Sequence, residues 1–181
     1  MKKFAAAFAA ICLLSTPASA SLPAGAKAPT FTAPAAKAGK AFNFSLRSAL
    51  AKGPVVLYFY PKAFTKGCTL EANAFAEATP EFAKWGATVI GMSNDDIATL
   101  KKFSKEECRD KFAVGAANPA IVAAYDADLV KDGKSTGLTQ RTSYVIDRKG
   151  RIAFAHSDLD YKDHVRLTLA AVKKLQAHHK H

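Results

Sequence analysis

The spacing Pro61-x-x-x-Thr65-x-x-Cys68 places a rigid ring, a hydroxyl and a thiol within eight residues. That set suits nucleophilic chemistry by sulfur, provided the sulfur is held as a thiolate. The flanks supply the means. Val55-Val56-Leu57-Tyr58-Phe59-Tyr60 is a short apolar run of β-branched and aromatic residues, the pattern of a strand buried on both faces. After it, Leu70, Ala74, Phe75, Ala78 and Phe82 recur at helical spacing. Cys68 therefore falls in the first turn of a helix at the carboxyl end of a central strand. Unpaired backbone N–H groups and the positive end of the helix dipole favour a thiolate there. Open α/β sheets gather their sites at this edge. Thr65 can cap the helix and is near enough to direct its hydroxyl at the sulfur or at an oxygen bound beside it. Pro61 stiffens the loop, and Lys62 and Lys66 add positive potential. The opposing reading is a buried, inert cysteine. A loop of this composition lies at the surface, which favours the reactive reading.

The elements that must position this stretch follow from the rest of the chain. Residues 21–40 are rich in Ala, Pro, Gly and Lys and are expected to be irregular. Phe42-Asn43-Phe44 reads as a short edge strand, Ser45 to Lys52 as a turn or brief helix, and Gly53-Pro54 as a break. Gly86 ends the Cys68 helix, and Ala87 to Met92 forms a second parallel strand. Ser93-Asn94-Asp95-Asp96 opens a helix carrying Ile97, Leu100 and Phe103, with Cys108 near its end. Phe112-Ala113-Val114 reads as a short strand, and Pro119 starts a helix to about Tyr125. Asp126 to Gln140 reads as loop, turning at Asp132-Gly133. Arg141 begins a strand through Asp147. Arg148-Lys149-Gly150 turns it back into an antiparallel partner over Arg151–His156, and Leu159 to Gln176 is the last helix.

Residues 1–20 have the form of a secretory signal peptide: Lys2 and Lys3, an apolar Phe4–Leu14, and an Ala18-Ser19-Ala20 cleavage site. Cleavage after Ala20 removes Cys12 and leaves one domain, residues 21–181, in an exported protein of a bacterial periplasm. No other apolar run approaches membrane length, so no membrane contact is expected after cleavage. Losing Lys2 and Lys3 lowers the formal net charge from +11 to +9. The basic residues are scattered and not interleaved with aromatics, the mark of a solvated surface and not of a nucleic-acid site. The tail His178-His179-Lys180-His181 lacks acidic or cysteine partners nearby in sequence, so a solvated end is favoured over a metal site.

The run Tyr60-Pro61-Lys62-Ala63-Phe64-Thr65-Lys66-Gly67-Cys68-Thr69-Leu70-Glu71 resembles the peroxidatic motif of the peroxiredoxins, in its bacterioferritin-comigratory or Q-type form. The three spaced residues alone would arise in roughly one chain in a hundred. The twelve-residue run between a strand and a helix is far more specific. Gly25-x-x-Ala28-Pro29-x-Phe31 is similar to that family's opening, so the likeness covers most of the chain from about residue 25. It implies an α/β, thioredoxin-like fold: a mixed central sheet with helices on both faces. It also implies reduction of hydrogen peroxide and organic hydroperoxides by Cys68, with Thr65, Pro61 and the active-site arginine Arg141 around it. Guanidinium suits that place because it stays charged and offers several donors in a plane. From the residues alone, Arg141 would be read as a surface side chain. Glu71 either orients the loop or holds a Lys or Arg, or is a surface carboxylate; neither the functional nor the surface reading is favoured.

Oxidation leaves a sulfenic acid that a second thiol can condense with. Many Q-type relatives carry that thiol five residues on, where this chain has Asn73. The resemblance to a second group, which resolves from the next helix, gives the role to Cys108 and implies a Cys68–Cys108 disulfide. In a compartment that permits disulfides, the opposing reading of the same pair is a purely structural bridge; a cycling pair is favoured because Cys68 sits where a thiol is activated. Bridging demands Cα atoms within roughly 7 Å, so local unwinding over Thr65 to Ala72 is expected. The expected partners are a peroxide and a thioredoxin-like or other thiol reductant, with no metal or other cofactor, in a monomer or weak dimer. Two rival readings fit less well. A thiol–disulfide exchange protein would carry Cys-x-x-Cys, but Thr65 stands three before Cys68. A copper-delivery protein would need two cysteines four apart and a histidine. A non-enzymatic binding domain is the third alternative.

Overall fold

The computed structural model of the chain describes residues 21–177; the expected leader at 1–20 and the His-rich end at 178–181 lie outside the described residues. The centre is β3 (Val55–Phe59), buried along its whole length. Its pleat sorts the side chains into two layers. Val55, Leu57 and Phe59 join a core with α1 (Leu46–Lys52) and α4 (Pro119–Ala124). Val56, Tyr58 and Tyr60 join a second core with α2 (Lys66–Lys84), α3 (Ile97–Glu106) and α5 (His164–Ala177). A strand coated on both faces needs no polar alternation, which is why its sequence is a continuous apolar run.

β3 pairs in parallel with β4 (Thr88–Ser93), Val55 opposite Thr88, and antiparallel with β8 (Thr142–Ile146), Val55 opposite Ile146. β5 (Ala113–Ala116) extends the parallel side, and β9 (Ile152–Ser157) the antiparallel side. With β1 (Thr32–Lys37) and β2 (Lys40–Ser45), the seven-stranded sheet runs β2-β1-β5-β4-β3-β8-β9. It is the expected mixed sheet with helices on both faces. No helix among the described residues is long and apolar enough to cross a membrane.

Three expectations are corrected. Residues 21–40 are not irregular throughout, because Thr32–Lys37 forms β1 and turns at Ala38-Gly39, both at positive φ, into β2. Its buried side chains are Ala33, Ala35 and Ala36, too small to announce a strand by β-branched or aromatic content. Asp126 to Gln140 is not a loop but a separate hairpin of β6 (Asp128–Lys131) and β7 (Lys134–Thr139), turning at Asp132-Gly133 as expected. Both of its faces are largely exposed, so no alternation marks it. The last helix starts later than Leu159: a single 3₁₀ turn at Tyr161–Asp163 precedes α5.

Candidate active site

The loop leaving β3 is anchored at three points. The Tyr60 carbonyl accepts from Thr139 Oγ1 at 2.5 Å, which ties it to the end of β7. Ala63 N–H donates to Asp95 Oδ2 at 2.7 Å, and Ser93 Oγ donates to the same oxygen at 2.8 Å. Phe64 sits edge-on to Phe103, with ring centroids 5.2 Å apart. These anchors hold Phe64 at φ 62°, a left-handed conformation that disfavours a bulky residue by roughly 1–2 kcal/mol. The effect is to bring the chain abruptly from the end of β3 into α2.

Thr65 occupies the N-cap position of α2, and the first helical bond runs from Thr69 N–H to the Thr65 carbonyl at 2.9 Å. The N–H groups of Lys66, Gly67 and Cys68 thus have no acceptor within the helix, so Cys68 lies in the turn that carries the positive end of the helix dipole. Cys68 is 2 % exposed and a free thiol. A Cβ on Gly67 would lie 3.3 Å from Arg141 Nη2, so glycine leaves the guanidinium room to approach.

Arg141 stands one residue before β8, where β3's antiparallel partner brings it to the same sheet edge. Its Nη2 donates to Cys68 Sγ at 3.4 Å, its Nε to the Leu159 carbonyl at 2.9 Å, and its Nη1 to Glu71 Oε2. Arg141 is 4 % exposed and Glu71 fully buried. Burial pushes the Glu71 carboxyl up to about 8, against the pull of the Arg141 charge. Burial acts to lower the Arg141 pKa, but its contacts with Glu71 and Cys68 outweigh that and raise it, so the guanidinium is a fixed cation.

Of the residues expected in the site, Cys68 and Arg141 meet directly, and Pro61 lies half-buried in the loop. The Thr65 hydroxyl departs from expectation. It makes no capping bond and does not turn to the sulfur, but donates to the Lys62 carbonyl at 2.9 Å, the acceptor presented three residues back by the tight loop. Lys62 and Lys66 are exposed. Glu71, left undecided between two roles, holds Arg141.

Cys108 follows α3 immediately, fully buried and free, in the same packed layer as Cys68, Ala72, Phe75, Phe103 and Phe112. Burial, and then the Glu107 charge, pushes its thiol well up. The segments bearing the two cysteines are latched together. Asn73 Nδ2 donates to Glu107 Oε2 at 3.2 Å, and Arg109 Nη1 pairs with Glu77 Oε1 at 3.1 Å. After Glu107 the chain passes through Arg109 and Asp110, both at positive φ.

Asp95 and Thr139 were missed by sequence reasoning. Asp95 left a faint signal: of two adjacent aspartates after β4, only Asp96 caps α3, through Thr99 N–H at 2.8 Å. The other was therefore available to clamp the loop. Thr139 left none. Among the described residues, no group of three His, Cys, Asp or Glu is placed to hold a metal ion. What the arrangement can do is hold a sulfur against a guanidinium at the amino end of a helix, in a site able to stabilise an oxyanion leaving a bond attacked by sulfur.

Comparison with known proteins points the same way. Residues 24–155 match the model of the AhpC/TSA family. The chain is 32 % identical over 123 residues to Peroxiredoxin Bcp of Bacillus subtilis, covering 67 % of this chain and 78 % of that one. Among solved structures it is similar to the peroxidoxin BcpB of Mycobacterium tuberculosis, with TM-score 0.74 and 29 % identity over 84 % of this chain and 97 % of that one. It is also similar to the bacterioferritin comigratory protein of Xanthomonas campestris, whose structure addresses alkyl peroxide reduction. There the TM-score is 0.70, with 29 % identity over 79 % of this chain and 91 % of that one.

Proposed function

This chain belongs to the AhpC/TSA family as a peroxiredoxin of the Bcp/Q kind, a thiol-dependent peroxidase, and we propose that Cys68 is its peroxidatic and Cys108 its resolving cysteine. The observation that carries this reading is the contact of Arg141 Nη2 with Cys68 Sγ at 3.4 Å, between two buried side chains, with Glu71 holding the guanidinium from the other side. The Cys68 thiolate attacks one peroxide oxygen, the O–O bond breaks, and the departing alkoxide or hydroxide takes up a proton. Cys68 becomes a sulfenic acid. Arg141 and the first N–H groups of α2 meet the negative charge on both sulfur and oxygen.

Cys108 then displaces water from the sulfenic acid: its thiolate forms the S–S bond, and the leaving hydroxide is protonated. A thiol held neutral by burial is a poor nucleophile, so this step needs the α2 start and the Glu107–Asp110 segment to open. The two positive-φ residues after Cys108 and the absence of a side-chain cap on α2 support such opening. A thioredoxin-like reductant returns the disulfide to the dithiol. Organic hydroperoxides are proposed as substrates beside hydrogen peroxide, since Phe64 and Leu159, 43 % and 57 % exposed, place apolar surface on the loops beside the sulfur. The leader at residues 1–20 supports export to the periplasm, with the mature domain working as a monomer or weak dimer.

The test is peroxide consumption with dithiothreitol by the mature protein and its Cys68→Ser and Cys108→Ser variants, with mass spectrometry of the peroxide-treated wild type. Cys68→Ser is expected to abolish consumption, and the wild type to yield a Cys68–Cys108 peptide. Mixed disulfides alone would remove the resolving role from Cys108 and leave a one-cysteine enzyme.

A further inference from the structure

Behind Arg141 the polar layer continues to a residue that does not reach the sulfur. His164, at the start of α5, is fully buried, and both of its ring nitrogens are engaged. Nδ1 lies 2.8 Å from Ser143 Oγ on β8, and Nε2 lies 2.9 Å from the Asp158 carbonyl. A carbonyl can only accept, so Nε2 carries the proton. Nδ1, in the neutral ring, then accepts from the Ser143 hydroxyl. Burial favours that neutral ring, pushing the imidazole down to about 4. The titratable groups facing it include Glu71 from α2, with Oε1 at 3.9 Å from Nδ1, and His156 from β9, with ring centroids 4.7 Å apart; the Arg141 and Asp158 charges also act on the ring.

The Asp158 carbonyl matters because of its neighbour. The next carbonyl, that of Leu159, accepts from Arg141 Nε. The Asp158 N–H donates in turn to the Arg141 carbonyl at 3.2 Å. Main chain and side chain of Arg141 are thus both tied to Asp158–Leu159. These two residues and Asp160 are exposed, so the segment has little packing of its own. His164 supplies its buried anchor.

We propose that His164 is a positioning residue for Arg141: by donating Nε2–H to the Asp158 carbonyl it fixes the Leu159 carbonyl, and through that the plane of the guanidinium facing Cys68. Without this anchor, Arg141 keeps its Nη contacts but loses the one that sets rotation about its Nε. An ångström of misplacement at a reacting group lowers a rate on the order of a hundredfold. The inference rests on Cys68 as the attacking sulfur and Arg141 as its cation.

The test uses the mature chain with Cys108→Ser, so that Cys68 is the only thiol, and reads its oxidation by hydrogen peroxide together with exchange protection of the Arg141 Nε–H by NMR. His164→Phe keeps ring size and removes both nitrogens; His164→Gln keeps a donor and an acceptor. The Phe variant is expected to oxidise tenfold to a hundredfold more slowly and to lose Nε–H protection. The Gln variant should stay within about threefold of the parent, where loss of donors costs a hundredfold or more. A folded Phe variant with the parent's rate and protection would overturn the proposal, as would a Gln variant as slow as Phe. If the Phe variant does not fold, the parent's His164 nitrogen shifts decide: protonated Nε2 supports the anchor and protonated Nδ1 excludes it. Slow oxidation of the parent itself would instead strike at the reading of Cys68.

Discussion

Replacing Arg141 by Lys keeps a positive charge but removes the planar fork that reaches Cys68 Sγ, Glu71 Oε2 and the Leu159 carbonyl together. Arg141→Lys is expected to slow Cys68 oxidation on the order of a hundredfold, the usual loss when one fixed donor to a developing charge is removed. Stopped-flow oxidation of the variant checks this; a loss under about threefold would mean that charge alone suffices. Which residues could be foreseen depended on where their partners lie. Cys68 was legible because strand, loop and helix are contiguous around it. Arg141 was legible only through family resemblance, since nothing near it in sequence points to a sulfur 73 residues earlier. The Glu71 carboxylate had two open roles until its partner, 70 residues on, was seen. Asp95, Thr139 and His164 act through pairings that local pattern does not encode.

If Cys108 resolves Cys68 as proposed, the start of α2 and the segment just after α3 are the pieces that must part. Asn73–Glu107 and Glu77–Arg109 hold the middle of α2 to the residues just after α3, beside the buried cysteine layer. A side-chain hydrogen bond of this kind contributes about 1 kcal/mol, and an exposed ion pair about 0.5 kcal/mol. Asn73→Ala is therefore expected to speed disulfide formation after oxidation by about threefold to fivefold, with the peroxide step unchanged. Quench-flow with mass detection of the sulfenic and disulfide forms separates the two steps; an unchanged second step would show that this latch does not limit opening. The sequence signal was strong for elements that bury a continuous apolar face, such as β3, β4 and α2. It failed for β1, whose buried face is alanine, and for the β6–β7 hairpin, which buries almost nothing. Burial, not strand formation as such, is what writes a readable pattern.

For the molecule as a whole, the same polar layer ties acid stability to the site. His164 has its folded pKa lowered from 6.5 to about 4. Its neutral form is favoured by folding, so its contribution is complete above pH 6.5 and is lost as pH falls through 4. It amounts to about 3 kcal/mol. Urea unfolding at pH 7 and pH 4 should show the wild type losing about that much more stability than His164→Gln, whose amide does not titrate. Equal losses would mean that this ring is not held neutral. The two cores on either face of one sheet, and a site at its edge built from α2, β8 and the turn before α5, make the chemistry a property of the assembled sheet. The most direct measurement of that chemistry is the rate at which hydrogen peroxide converts Cys68 to sulfenic acid at neutral pH in the protein expressed without residues 1–20, followed by mass. A rate constant at least about a hundredfold above that of free cysteine is predicted from the fixed donors around the sulfur. A rate equal to that of free cysteine would contradict the assignment of Cys68 as the residue that splits the peroxide.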